Sequence, residues 1–156
     1  MKLNSLKATK KFSKAFTKFI KNYLKKHNKL IILFTGHLGS GKTTIIKEIA
    51  KNLKIPYEIK SLTFILWQIY SFVLYKRKYT LHHIDLYRIN PKDILKLNLK
   101  KYLQSPYNLF VIEWGEKMIK FLKPPFVLVE IKKIRRNQRE IKVELYLKNA
   151  RKTLIN

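Results

Sequence analysis

The amino-acid sequence predicts a single domain of the α/β class, on three observations. Residues 29–34 form an apolar run with the length of a buried strand, residues 35–41 are rich in glycine, and residues 42–53 show helical periodicity. This order of strand, loop and helix is typical of α/β folds. The 156 residues are 46% hydrophobic, which suffices for one core and leaves little room for a second domain.

The N-terminal segment predicts a first amphipathic helix. Apolar side chains recur at spacings of three and four residues from Ala8 to Leu24, with lysines between them. Residues 1–29 are also basic, free of acidic residues and contain Ser and Thr, features shared with a cleaved mitochondrial leader or a membrane-surface helix. The segment contains no arginine, which weakens the leader interpretation, and its apolar residues form one helical stripe. We therefore favour a helix packed within the folded domain.

The rest of the chain alternates between strand and helix patterns. Aromatic and β-branched residues predict one long or two short strands at 61–75, a polar turn at 76–78 and a further strand at 79–87. Pro91 can begin a helix that reaches Tyr102. The later segments predict a short strand at 109–113, a brief helix at 117–122 and a hairpin of strands 126–132 and 141–147 around residues 135–138.

The glycine-rich segment has the sequence of a phosphate-binding loop, since residues 36–43 match G-x-x-x-x-G-K-[ST]. Glycines let the backbone approach a ligand closely, and successive N–H groups with the start of the next helix attract phosphate. Three of the 4 glycines lie in this stretch. Lys42 would reach the β- and γ-phosphates and the Thr43 hydroxyl would bind Mg²⁺. The residues expected to bind the nucleotide here are His37, Leu38, Gly39, Ser40, Gly41, Lys42, Thr43 and Thr44.

Two acidic residues are candidates for a role beside a bound phosphate. Glu113 ends the apolar run 109–112, at the tip of a buried strand, where an acid can bind Mg²⁺ directly or hold one of its ligands. Alternation places His83, Asp85 and Tyr87 on one strand face, where Asp85 can orient water or hold a metal-bound water. The alternatives are a helix cap or surface acid for Glu113 and a solvated strand face for Asp85. The acids expected on a solvated face of the terminal hairpin are Glu130, Glu140 and Glu144.

The charge of the chain invites a nucleic-acid interpretation. There are 35 Lys and Arg against 9 Asp and Glu, a net charge of +26, and a strongly basic surface attracts phosphate backbones. However, the lysines run from Lys2 to Lys152, and abundant Lys, Ile and Asn are the profile of an AT-rich coding sequence. We favour that compositional bias as the main source of the charge, with RNA contact and attraction to a membrane surface as alternatives.

The composition also excludes several classes of protein. The chain has no cysteine, so disulfide scaffolds, thiolate zinc sites and cysteine nucleophiles are excluded. No apolar run approaches the roughly 20 residues that cross a bilayer. We therefore expect no membrane-spanning segment.

Four motifs together resemble the TsaE (YjeE) family. They are G-x-L-G-x-G-K-T at 36–43, S-x-T-F at 61–64, H-x-D-L-Y-R at 83–88 and I-E-W-x-E at 112–116, in the family's order and spacing. The first motif is common to P-loop proteins in general. The last two motifs are much more specific, and they carry the resemblance.

This resemblance implies a fold, an activity and partners. TsaE proteins are small bacterial P-loop ATPases that support threonylcarbamoyladenosine modification of tRNA next to the anticodon. The implied fold is a P-loop NTPase domain at 7–147, with a mixed central sheet flanked by helices, between tails at 1–6 and 148–156. Hydrolysis of ATP would need Mg²⁺ and the partner proteins TsaB and TsaD. It would reset these partners between turnovers. A cytoplasmic location, no membrane association and direct or indirect contact with tRNA are implied as well.

The resemblance further implies residue roles. Thr63 would lie in a switch-like segment near the γ-phosphate, Asp85 would be the acid that orients water, and Trp114 would lie beside the nucleotide or a partner surface. The expected catalytic residues are Lys42, Asp85 and Glu113, the expected metal ligands are Thr43 and Glu113, and Thr63 and Trp114 complete the nucleotide-binding set.

Three positions depart from the residues usual in the family. His37 replaces an acid, and Leu62 and Gly115 each replace a proline. None of these changes removes a group that contacts phosphate or metal in the P-loop scheme. Two other functions stay open, a small-molecule kinase and an RNA-binding module that merely holds a nucleotide. The lack of a lid-sized insertion argues against the kinase, and the intact set of phosphate and metal residues argues against the module.

Overall fold

A computed structural model describes residues 1–59 and 66–155 and shows helices packed on one mixed sheet. The strands are β1 (Lys2–Leu3), β2 (Lys29–Thr35), β3 (Trp67–Leu74), β4 (Arg77–Asp85), β5 (Asn108–Glu113), β6 (Phe126–Arg135), β7 (Gln138–Leu147) and β8 (Ala150–Ile155). The α-helices are α1 (Leu6–His27), α2 (Lys42–Asn52) and α3 (Lys100–Gln104), and 3₁₀ segments span Pro91–Leu97, Gly115–Lys117 and Ile119–Phe121.

The order of the strands places the ends of three parallel strands side by side. The sheet runs β1-β7-β6-β2-β5-β4-β3, with β8 also paired to β7. β5 is parallel to both β2 and β4, and its Glu113 is in register with Phe34 on one side and Asp85 on the other. The glycine-rich loop leaves β2 at this same edge. The register therefore brings the loop and both candidate acids together.

The core forms two layers because strand residues alternate between the faces of the sheet. In β2, Leu30, Ile32 and Phe34 pack toward the layer of α1 and α2. Ile31 and Leu33 pack on the opposite face, under α3 and the 3₁₀ segments. β2 is buried along nearly its whole length, as its apolar run predicts for a central strand.

The predicted N-terminal helix is confirmed as α1. Its side chains at Phe12, Phe16, Ile20 and Leu24 are almost fully buried, and burying each stabilises the fold by roughly 1.5–3 kcal/mol. The Ser5 side chain caps the helix start by accepting a hydrogen bond from the Ala8 amide at 3.1 Å. Within the two ranges that the structure describes, no helix combines the length and apolar character that crossing a membrane requires.

The segments expected as tails differ from that expectation. Lys2 pairs with Glu140 and Leu3 with Arg139 of β7, and Leu3 is 1% exposed. β8 pairs with the same edge of β7 from residue 143 to 147. An uncovered edge strand presents a row of unpaired N–H and C=O groups, and these two short strands satisfy them.

Glu144 corrects the expectation that all three hairpin acids are solvated. β8 covers it, so that only 3% of the residue is exposed. Its Oε1 lies 3.0 Å from Lys142 Nζ and 3.3 Å from Arg151 Nε. A buried carboxylate needs such charged partners, which periodicity within one strand cannot reveal.

Three local elements also differ in their bounds. Tyr75 and Lys76 both adopt positive φ, which makes the β3–β4 turn there and starts β4 at Arg77. The helix expected from Pro91 to Tyr102 is a 3₁₀ segment and α3, because Asn98 at φ 53° interrupts it. The brief helix expected at 117–122 consists of two 3₁₀ turns. The terminal hairpin is confirmed, and the first part of the strand predicted at 61–75 lies outside the described residues.

Candidate nucleotide-binding site

The loop between β2 and α2 has a backbone that glycine makes possible. Gly36 has φ 136°, and a Cβ there would lie 2.3 Å from the carbonyl oxygen of Ile131. Gly41 has φ 100° and is the N-cap of α2, with no side-chain hydrogen bond capping the helix. The first amides of α2 are therefore left for a ligand, and the helix dipole favours an anion there.

Lys42 is held against the loop that it follows. Its Nζ donates hydrogen bonds to the carbonyl oxygens of Gly36 at 2.7 Å and His37 at 3.2 Å. The same ammonium lies 4.3 Å from the centre of the Trp114 ring, within cation–π range. Burial lowers the pKa of Lys42, an effect opposed by the nearby carboxylates, of which Glu113 acts most strongly. The ammonium is thus close to the place where phosphate would bind.

Glu113 is the centre of a buried polar network. The Thr43 hydroxyl lies 2.9 Å from each of its carboxylate oxygens. His83 Nε2 lies 3.0 Å from its Oε1, and the imidazole is fully buried. Among the described residues, His83 Nδ1 has no hydrogen-bond partner. An Nε2–H donor on His83 therefore fits this contact, since an ionised carboxylate only accepts.

Asp85 closes the other side of the same edge. Its Oδ1 accepts a hydrogen bond from the Tyr87 amide at 2.8 Å, which turns the chain at the end of β4. Burial raises the pKa of Asp85, and the hydrogen bond from the Tyr87 amide partly opposes this. A half-buried carboxylate in this position can accept a hydrogen bond from water at the site.

These groups surround one cavity of about 470 Å³. Every predicted site residue from Leu38 to Thr44 lines it, together with Asp85, Glu113 and Trp114. His37 is exposed and does not line the cavity, although its carbonyl holds Lys42. Thr63 lies outside the described residues. The structure thus brings together all the described candidates except the side chain of His37.

Whether these residues can hold a nucleotide and Mg²⁺ depends on the ligand atoms that they offer. Mg²⁺ prefers oxygen ligands, commonly one or two carboxylates completed by substrate phosphates. Thr43 and Glu113 supply a hydroxyl and a carboxylate, and no group of three His, Cys, Asp or Glu that could hold a metal occurs in residues 1–59 and 66–155. Ser40 Oγ is buried without a partner among the same residues. This incomplete donor set fits a metal that is shared with a phosphate ligand.

Two basic residues near the site, Arg139 and Lys117, are not among the site residues that the sequence predicts. Arg139 Nε on β7 donates to the Ser40 carbonyl at 2.8 Å, so β7 braces the loop. Lys117 Nζ donates to the carbonyls of Leu86 and Tyr87 at 2.7 and 2.8 Å and thereby fixes the segment after Asp85. Both contacts join positions far apart in the chain. Arg135, Arg136 and Arg139 cluster in the sequence, but the cluster does not indicate which arginine reaches the loop.

Trp114 adopts an unusual backbone conformation. Its φ of 57° lies in the left-handed region, which costs energy for a bulky residue. The indole lies 4.9 Å from the Tyr87 ring, centre to centre, and beneath Lys42. The next residue, Gly115, has no room for a side chain, because a Cβ would lie 2.6 Å from Leu33 Cβ. Tight packing under Gly115 therefore holds the strained Trp114 at the cavity wall.

Comparisons with known proteins agree with this geometry. The family described as "Threonylcarbamoyl adenosine biosynthesis protein TsaE" matches residues 3–141. The chain is 37% identical over 139 residues to the tRNA threonylcarbamoyladenosine biosynthesis protein TsaE of Rickettsia prowazekii, covering 88% of each chain. It is also 37% identical over 149 residues to the protein of the same name from Rickettsia typhi, covering 93% of this chain and 95% of that one.

A solved structure shows the same fold. The crystal structure of YdiB from Bacillus subtilis superposes with a TM-score of 0.59 at 24% identity, over 85% of this chain and 77% of that chain. The predicted P-loop NTPase fold, a mixed central sheet flanked by helices in a single domain, is confirmed. With the family match spanning nearly the whole chain, this protein belongs to the TsaE family, which takes part in the biosynthesis of threonylcarbamoyladenosine in tRNA.

Proposed function

We propose that the protein is a Mg²⁺-dependent ATPase that drives and resets the tRNA threonylcarbamoyladenosine modification complex. The observation that carries the proposal is the contact of the Thr43 hydroxyl with both carboxylate oxygens of Glu113. It joins the start of a helix that follows a phosphate-type loop to the acid at the end of a neighbouring parallel strand. P-loop ATPases use such a pair for magnesium and phosphate.

The residues around the cavity would divide the work of hydrolysis. Water attacks the γ-phosphorus, the bond to the β,γ-bridging oxygen breaks, and ADP and phosphate leave. Lys42 would exchange its two carbonyl partners for phosphate oxygens. The backbone amides at the start of α2 would donate further hydrogen bonds to the phosphate. Thr43 and Glu113 would hold Mg²⁺, which when bound supplies neutralisation of phosphate charge. Asp85 would accept a hydrogen bond from the attacking water.

The proposed partners are TsaB and TsaD, in a cytoplasmic complex. Exposed apolar side chains at the mouth of the cavity support a partner contact there. Leu38 at the tip of the loop is 71% exposed, and Tyr87 on the opposite wall is 48% exposed. Large apolar side chains of this kind are common in protein interfaces, and a partner bound here would cover the nucleotide.

The first test is nucleotide binding by calorimetry. Lys42→Ala removes a charged donor from the phosphate position, and we expect the affinity for ATP with Mg²⁺ to fall about 100-fold or below detection. Lys51→Ala is the matched control, since Lys51 is an exposed lysine of the same helix and does not line the cavity. Equal affinities for the two variants would remove the loop from the mechanism.

The second test is ATP hydrolysis with and without TsaB and TsaD. We expect phosphate release to rise about tenfold or more when both partners are added, and Lys42→Ala to show no such rise. A rate that the partners leave unchanged, while ATP still binds, would contradict the proposed coupling. A small-molecule kinase would instead transfer phosphate to an added acceptor without either partner.

A further inference from the structure

We propose that the outer face of α1 is a binding surface for an RNA backbone. Six lysines of this helix form what we call the lysine stripe: Lys7, Lys11, Lys14, Lys18, Lys21 and Lys25. The ATPase site does not use them. The choice of RNA as the polyanion rests on the proposed function in tRNA modification, whereas the surface itself follows from the geometry and charge of the helix.

The lysine stripe is straight and long. Its members are separated alternately by four and three residues, so at about 100° per residue all six lie within an arc of about 80°. At about 1.5 Å per residue, the distance along the axis from Lys7 to Lys25 is about 27 Å. Successive ammonium groups are thus about one helical turn apart. A continuous row of charge of this length matches a phosphate backbone better than a compact anion.

The stripe is not neutralised by the protein. α1 contains no acidic residue, and no carboxylate of the described residues forms an ion pair with any of the six lysines. Two of them make other contacts, Lys21 with the Asn52 carbonyl at 3.0 Å and Lys25 with the Tyr75 ring at 5.5 Å. The remaining four extend into solvent. Their repulsion is relieved when an anionic polymer binds.

The middle of the lysine stripe borders a shallow surface depression. Lys11, Lys14, Lys18 and Lys21 line an open concave space of about 480 Å³, together with Asn52 at the end of α2. Four of the six stripe lysines therefore border one concave region. This arrangement concentrates the positive potential above what the same charges would produce on a flat surface.

The buried side of α1 argues against a membrane as the partner. An amphipathic helix binds a bilayer by inserting its apolar face, but here Phe12, Phe16, Ile20 and Leu24 are occupied in the core. A protein partner would require apolar anchors, and the stripe offers none. Binding to a phosphate backbone needs only charge and counterion release, which the lysines supply.

The test compares two variants of equal charge. In the stripe variant the six lysines become Gln, which has a similar helix propensity. In the control variant, six exposed lysines outside α1 become Gln instead: Lys92, Lys101, Lys120, Lys123, Lys148 and Lys152. Both variants carry a net charge of 26 − 6 = +20. Binding to an unmodified tRNA transcript is measured by fluorescence anisotropy between about 50 and 200 mM salt.

We expect the stripe variant to lose most of its RNA affinity. Removing six phosphate contacts should reduce the slope of log K against log salt by about 4 to 5, and the affinity by about 100-fold or more. The control variant should keep its slope within about one unit. ATP binding, measured on both variants, should stay at the wild-type value, so a failed ATPase proposal and a failed RNA proposal give different results.

Three outcomes would overturn the inference. Equal losses in the two variants would show that the overall charge, and not the stripe, attracts RNA. Stripe-dependent binding to phosphatidylserine vesicles with no binding to the tRNA transcript would make a lipid surface the partner. Stripe-dependent binding to polyglutamate, with RNA affinity unaffected by the variant, would point to an acidic protein.

Discussion

Glu113 shows how a single residue can depend on a distant one. A buried carboxylate is costly unless it is hydrogen-bonded. Among residues 1–59 and 66–155, the donors that reach Glu113 are Thr43 and His83. If Thr43 binds Mg²⁺ as proposed above, His83 is the described donor that remains to keep the carboxylate in place. We therefore regard His83 as a positioning residue for Glu113.

Substitution of His83 tests this role. His83→Leu removes the donor, and we expect the Mg²⁺ concentration needed for half-maximal ATP binding to rise about 10-fold. His83→Gln places an amide N–H near the former Nε2 and should restore most of the wild-type Mg²⁺ dependence. Glu113→Ala should raise the requirement at least as far as His83→Leu. A His83→Leu titration that overlays that of the wild type, in a folded protein, would leave His83 with a packing role alone.

His82, the neighbour of His83 on β4, has a different function. It is buried, its Nε2 lies 3.0 Å from Asn108 Oδ1, and its Nδ1 accepts a hydrogen bond from the Trp67 indole N–H at 3.2 Å. The neutral imidazole satisfies both contacts, and protonation at Nδ1 would break the second. Burial lowers the pKa of His82, while the hydrogen bond to Asn108 opposes that shift. The ring also stacks on Phe110 at 4.4 Å.

The pH dependence of stability should reveal this histidine. The pKa of His82 in the folded state is below its unfolded value of about 6.5, so the unfolded state binds more protons between the two values. The free energy of unfolding should therefore decrease as pH falls below about 6.5 and level off below the folded pKa. Urea titrations of His82→Gln should lose this component, whereas His27→Gln, at an exposed position, should retain it. An identical slope for wild type and His82→Gln would contradict the assignment.

At the scale of elements, α1 carries much of one core layer. Phe16 is 1% exposed and stacks between Phe12 and Phe19, with ring centres 5.7 and 5.9 Å away. Phe16→Ala should lower the free energy of unfolding by about 3–5 kcal/mol through lost burial and a residual cavity. Leu6→Ala, on the same helix but 59% exposed, should change it by less than about 0.5 kcal/mol. Equal effects in denaturant titrations would mean that α1 is not packed as described.

The terminal strands show a part of the fold that the local sequence does not predict. β1 has only two residues, and half of the residues of β8 are polar. Neither strand therefore shows a clear alternation of polar and apolar side chains. Their pairing depends on the free edge of β7 and on the charge of Glu144, which is satisfied from β8 by Arg151. Such information is absent from the local sequence.

At the scale of the whole molecule, the chain has 35 basic residues and 9 acidic residues, so its net charge is strongly positive. Self-repulsion destabilises a compact state of high net charge, and added salt screens it. We expect the melting temperature to rise between low and about 0.5 M NaCl, by about 2–4 °C for each kcal/mol of repulsion removed. The stripe variant, with a charge of +20, should show a smaller rise. A melting temperature that falls with salt would mean that ion pairs outweigh the repulsion.

The sequence by itself determined the α/β class, the glycine-rich loop between strand and helix, the first helix and the terminal hairpin, because these depend on spacings within a few residues. It also pointed to Glu113 and Asp85, since an acid at the end of an apolar run marks the tip of a strand. Only the tertiary structure decided that His83 supports Glu113, that Arg139 braces Ser40 and that Lys117 fixes the segment after Asp85. These contacts join residues about 30 to 100 positions apart. Their partners are set by the order and register of the strands, which no local periodicity encodes.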